Sequence, residues 1–152
     1  MQAGRWQTIS TSAANDFRGT LAQDAAATLN LNVSSSGLPT NAECVVRAVR
    51  VLSVENLAWE IRLYRTRAFN APTPDADRFA GRWTFVAGDG TRIGSSGLYE
   101  YYIDGNDIAY GDEDQQSELH LALVNRSAAG KSAGDTGAVR IELVVQEAAG
   151  GR

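Results

Sequence analysis

A chain of 152 residues with a 43% hydrophobic fraction can bury a core, which excludes whole-chain disorder and any need for a disulfide or metal staple. Its net charge of −4 speaks against a general nucleic-acid binder, whose footprint is a concentrated positive surface. Cys44 is the single cysteine, so no intrachain disulfide forms, and no apolar run approaches the roughly eighteen residues of a membrane helix.

Residues 1–15 read as an N-terminal arm or edge strand, carried by Arg5-Trp6-Gln7-Thr8-Ile9, ahead of a single domain over 16–147. No apolar stretch follows Met1, so no signal peptide is expected and synthesis is placed in the cytoplasm. Asp16–Ala27 is Ala-rich, yet Gly19 and the strand that follows favour a loop. Thr28–Ser34 alternates, with Leu29, Leu31 and Val33 on one face, and ends in the turn cluster Ser35-Ser36-Gly37-Leu38-Pro39. Glu43–Val54 is almost continuously apolar and β-branched, which predicts a strand buried on both faces or crossing between sheets, with Cys44 a small core residue. Leu57–Thr66 alternates, placing Leu57, Trp59, Ile61 and Leu63 inward and Glu60, Arg62 and Tyr64 outward. Between these two runs, Glu55-Asn56 predicts a tight hairpin.

Pro72 and Pro74 cannot donate to a ladder, so Thr66–Phe79 is expected as a long ordered loop. Gly81–Ala87 returns to strand and Gly88-Asp89-Gly90 turns. Tyr99–Ile103 is a short aromatic strand ended by Asp104-Gly105-Asn106. Glu118–Asn125 sets Leu119, Leu121 and Leu123 opposite His120 and Ala122. Ser127–Gly137 is a flexible turn, Ala138–Gln146 the last strand with Val139, Ile141, Leu143 and Val145 inward, and 148–152 a flexible tail. Regular strands without βαβ alternation give the fold class: all-β, an antiparallel two-sheet sandwich, jelly-roll-like, of about eight strands.

Reactive chemistry is sparse. His120 has no serine, cysteine or second histidine placed for a triad, and one histidine with one cysteine excludes a Cys/His zinc site by count, so no enzyme and no cofactor are expected. The acidic run Asp104–Asp114 offers hard oxygen ligands, but Ile108 falls where a calcium ligand belongs, and a solvated loop is the simpler reading. Gly88-Asp89-Gly90-Thr91-Arg92-Ile93-Gly94 lacks the following helix that a phosphate cradle needs and reads as a hairpin turn. Tyr99, Tyr101, Tyr102 and Tyr110 with Trp83 suggest a carbohydrate platform, although alternation sends Tyr101 and Tyr102 to opposite faces. Arg62, Arg65 and Arg67 with Tyr64 read equally as a solvated strand edge or as a protein-docking patch.

Three stretches together resemble the small jelly-roll decoration (cement) proteins of tailed-bacteriophage capsids. They are Trp59-Glu60-Ile61-Arg62-Leu63-Tyr64 with Phe69 and Asp75-Ala76-Asp77-Arg78-Phe79; Ile108–Asp114 leading into Glu118–Ser127; and Gly137–Leu143. The resemblance covers roughly residues 59 to 147; the first forty residues carry none of it. It implies a virion structural protein that binds and stabilises an icosahedral shell, with the major capsid protein as partner, a homotrimeric state, and neither nucleic acid nor membrane as a target. Arg5, Trp6, Ile9, Arg65, Arg67 and Phe69 are the expected partner-binding residues. The alternative is a carbohydrate- or receptor-binding β-sandwich module.

Overall fold

The computed structural model describes residues 5–11, 21–67, 69, 77–127 and 139–147. Among the described residues, nine strands form two antiparallel sheets. They are β1 (Trp6–Ser10), β2 (Ala26–Asn32), β3 (Cys44–Ser53), β4 (Trp59–Tyr64), β5 (Phe79–Thr84), β6 (Thr91–Arg92), β7 (Tyr99–Tyr110), β8 (Glu118–Asn125) and β9 (Arg140–Glu147). One sheet runs β1-β9-β3-β7-β6 and the other β2-β8-β4-β5. With the two-residue β6 set aside, two four-stranded sheets remain whose strands interleave along the chain as in a jelly roll. No helix among the described residues is long and apolar enough to cross a membrane.

Period-2 alternation builds the core. Leu119, Leu121 and Leu123 of β8, Trp59, Ile61 and Leu63 of β4, and Trp83 of β5 face Val46, Val49 and Val51 of β3 and Ile141, Leu143 and Val145 of β9, all buried. Each such side chain contributes about 1.5–3 kcal/mol by leaving water. Cys44 belongs to this core, where burial and then the Glu43 charge push its thiol up to about 12. Ile9 of the edge strand β1 is also a core residue.

The structure corrects several expectations. Glu55-Asn56 is no hairpin: β3 and β4 lie in different sheets, and Ser53–Ala58 carries the chain across the sandwich. The Tyr101 hydroxyl anchors that crossing, 2.9 Å from Asn56 Oδ1 and 3.0 Å from the Leu57 carbonyl. Gly88-Asp89-Gly90 likewise joins β5 to β6 across the two sheets, and a Cβ on Gly90 would lie 2.9 Å from Tyr101 Cζ. Alternation is local, so it marks a strand without saying which sheet receives it.

Asp104-Gly105-Asn106 does not end a strand either. The chain bulges there and β7 continues to Tyr110, the register against β3 shifting between Val46 and Ala48. Gly105 sits at φ +83°, where a Cβ is disfavoured, so a bulge selects the same residue type as a turn. β3 is buried on its inner face and only half-buried on the other, so it is neither buried on both faces nor a strand that crosses between sheets. Conversely, Glu60, Arg62 and Tyr64 point out of the sandwich as expected but are buried, not solvated.

Replacing Tyr101 by Phe should cost about 1–2 kcal/mol, because it leaves buried acceptors of the crossing unmatched. The check is the urea midpoint of wild type and variant, with an unchanged midpoint showing that the crossing is held elsewhere.

Candidate binding surface and the buried polar network

Two polar regions stand out, and they differ in whether they are closed. The first lies on the outer face of the four-stranded sheet. His120, fully buried on β8, sets Nε2 2.9 Å from Asp112 Oδ1 and Nδ1 2.8 Å from the Asn30 side-chain amide on β2. Asp112 belongs to the turn between β7 and β8, and its carboxylate is saturated. Oδ1 also accepts from the Asp114 N–H at 3.0 Å, while Oδ2 accepts from the N–H groups of Gln116 at 2.8 Å and Glu118 at 3.0 Å. The turn holds Gln115 and Ser117 at positive φ, a conformation side chains resist. Those carboxylate bonds stabilise it, as do contacts to the 39–41 segment: Ser117 donates its N–H to the Thr40 carbonyl at 2.7 Å and its hydroxyl to the Pro39 carbonyl at 2.9 Å.

Burial alone would raise the Asp112 pKa. The hydrogen bonds from His120 and from the N–H groups of Glu118, Gln116 and Asp114 outweigh it and hold the carboxyl below its ordinary value of 3.8. Around this hub, Arg67 grips the Glu118 carboxylate with Nε at 3.0 Å and with Nη2, and gives its backbone N–H to Asp114 Oδ2 at 2.6 Å. Arg65 donates Nη2 to the Ala109 carbonyl at 3.0 Å. Phe69 stacks on Tyr64 at 4.3 Å between ring centroids, and the His120 ring lies 6.5 Å away. Farther along β4, the buried Arg62 and Glu60 pair, with Arg126 Nε 3.5 Å from the same carboxylate.

Asp112, Asp114 and His120 present ligand-type atoms within 4.8 Å of one another. Yet the Asp112 oxygens are filled by four donors, and Asp114 Oδ2 takes the Arg67 N–H. The cluster is a clasp that fastens a turn, and the Asp112 carboxylate has no lone pair left over for a cation.

The second region is open. On the outer face of the five-stranded sheet, Trp6 of β1 (57% exposed) and Tyr102 of β7 (54% exposed) flank a floor of Ala48 and Val144. These residues, with Arg47, Asp104, Gly105 and Asp107, line an open groove of about 460 Å³. Arg47 is the extra residue of the β3 bulge against β9. Its guanidinium lies over the Trp6 ring at 5.7 Å, pairs with Asp107, and donates to Gln146 Oε1 at 2.7 and 3.1 Å. The Asp104 carboxylate has no partner among the described residues.

The six residues read from the sequence as partner-binding therefore separate. Trp6 is exposed on the open face, and Arg5 beside it bonds Glu147 and the Ser36 carbonyl. Ile9 is in the core, and Arg65, Arg67 and Phe69 fasten the clasp and its cover. The acidic run splits between strand and clasp, and the solvated loop expected for it is corrected at Asp112, which is buried. Pro72, Pro74 and nearly all of 127–137, 148–152 and 12–20 lie outside the described residues. Sequence reading missed Arg47 and Asp104 as groove residues, because only the bulge brings them beside Trp6 and Tyr102.

The Asp112 carboxylate, lowered in the folded state, contributes stability that is complete above the ordinary carboxylate value and fades as pH falls through its lower folded value. Asp112→Asn should cost about 3 kcal/mol at neutral pH, since it strands buried donors. The stability gap between wild type and variant, followed by urea denaturation, should shrink as the pH drops below 3.8. A gap independent of pH would mean that the Asp112 charge is not what fastens the turn.

No protein-family model matches the sequence, and no curated protein matches it. Among solved structures, the chain is similar to one titled structure of infectious bursal disease virus Gx strain, at 15% identity and a TM-score of 0.41, over 99% of this chain and 34% of that one. It is also similar to the VP2 subviral particle of infectious bursal disease virus, at 14% identity and a TM-score of 0.32, over 97% of this chain and 39% of that one. This chain spans well under half the length of either.

Proposed function

We propose that this chain is a virion structural protein that decorates and stabilises an icosahedral phage shell as a homotrimer, working by contact and not by turnover. The observation that carries the reading is the contrast between closed and open chemistry. The buried ionisable groups around His120 and Glu60 are committed to internal partners, whereas large apolar side chains are left at the surface. Outside the groove those are Val86 (62% exposed), between β5 and β6, and Ile93 (36% exposed), just after β6, with Arg82 and Arg92 exposed nearby in the chain. Arginine beside exposed apolar side chains is the composition of an interface core. The sequence resemblance to capsid decoration proteins points to the same role. A trimer bridging neighbouring shell subunits would add its modest contacts through effective concentration.

The experiment is co-sedimentation with stripped capsids of the phage that encodes the chain. Wild type should bind saturably and sediment alone as a trimer, while Val86→Asp and Ile93→Asp together should weaken capsid binding by about 2 kcal/mol if they form a true anchor. Wild-type protein that stays in the supernatant at every concentration would overturn the decoration reading.

A further inference from the structure

We propose that the groove between Trp6 and Tyr102 is a binding site for a neutral sugar ring, a role separate from shell docking and independent of it. The two aromatic side chains rise from strands three positions apart in one sheet, a lateral spacing of about 14 Å at the usual strand spacing of about 4.8 Å, and the register sets Tyr102 level with Ser10 and not with Trp6. Ala48 and Val144 keep the floor between them low. The open groove has a volume of about 460 Å³, within the range of small-molecule sites, which are apolar surfaces with a few placed polar groups.

The polar groups here suit hydroxyls. Asp104 is a carboxylate with no partner among the described residues, an acceptor for ring hydroxyls. The Arg47 guanidinium has five N–H groups in a fixed fork, and its bonds to Asp107 and Gln146 leave donors over for a sugar oxygen. Tyr102 offers a flat face to the C–H side of a pyranose, while Arg47 lies over the Trp6 ring at the other side of the groove.

Charge decides between sugar classes. An acidic sugar would meet the carboxylates of Asp104 and Asp107. A cationic ligand would compete with Arg47, which already occupies the Trp6 face and holds Asp107. A neutral ring meets neither obstacle. The bulges make this arrangement. Arg47 is the residue that β3 inserts against β9, and the Asp104–Asp107 excursion of β7 brings both carboxylates to the same patch.

Trp59 and Trp83 are buried, so Trp6 is the exposed indole of the chain and acrylamide quenching reports on it selectively. The probes are methyl glucoside, galactoside and mannoside, then lactose, maltose and cellobiose, with glucuronate as the acidic control. At least one neutral sugar should protect Trp6 from quenching and give saturable shifts in an NMR titration. Tyr102→Ala should weaken that binding about tenfold or more, as truncating a central aromatic anchor does. Asp104→Asn should weaken it too, with the thermal midpoint unchanged, because both side chains are exposed and carry little of the fold. Capsid co-sedimentation of these variants should match wild type. If no neutral sugar protects Trp6, if glucuronate is preferred, or if Tyr102→Ala binds as wild type does, the proposal fails. If stripped capsids protect Trp6 while sugars do not, the groove belongs to the shell contact and the sugar assignment is wrong.

Discussion

A buried carboxylate must be matched oxygen by oxygen, and much of one face of this molecule follows from how Asp112 is matched. Its four donors come from a histidine on β8 and from three backbone N–H groups of its own turn. An unmatched charge in that position would cost several kcal/mol, far more than one turn contributes. The turn can therefore hold two non-glycine residues at positive φ, start β8 in register with β2 and β4, and present Glu118 to Arg67. Arg67 in turn fixes the exit of β4, beside which Phe69 lies over Tyr64. Removing the carboxylate frees each of these in sequence.

The consequence is an asymmetric sandwich. The four-stranded sheet is buried along β4 and β8 on both faces, so its outer face carries an ionic layer in place of solvent-facing side chains. Paired charges there add little net stability over apolar residues of the same shape, but breaking one pair is costly, so the layer fixes which loop conformation the sheet accepts. The five-stranded sheet does the opposite. Its outer face is left half-covered, with surface ion pairs such as Arg50 to Glu142 at 3.0 Å, which contribute little each, and with two exposed aromatic rings.

How much of this was legible in the sequence depends on the range of the interaction. The leucines of β8 and the Val139–Val145 run declared their faces, because alternation needs only neighbouring residues. The destination of β4 after Glu55-Asn56 did not, since the same pattern fits a hairpin or a crossing, and Tyr101, the residue that decides it, lies 45 positions from Asn56. Gly105 was visible as a backbone irregularity, yet turn and bulge ask for the same glycine. The Asp112 hub around His120 depends on β2 and on the 39–41 segment, neither of which the acidic run itself reveals. Arg65, Arg67 and Phe69 read as docking residues because exposed arginine and aromatic side chains are the composition of interfaces, and each also has a partner within the chain. The same composition serves to seal a loop onto its own sheet.

The groove shows why the bulges matter more than the strand count. A regular pairing of β3 with β7 and β9 would keep Arg47 in a flat ladder and carry Asp104 and Asp107 along straight rows. The inserted residues change the pleat locally, so that small side chains, Ala48 and Val144, form a floor while Arg47 swings over Trp6. Trp6 is on an edge strand with one neighbour, β9, and would otherwise be free to fold back against the sheet. The Arg47 guanidinium props it outward, and Asp107 and Gln146 hold Arg47 in turn. An exposed indole packed under a guanidinium that two further side chains hold is a preorganised surface, and preorganisation lowers the entropy lost when a ligand or partner settles on it.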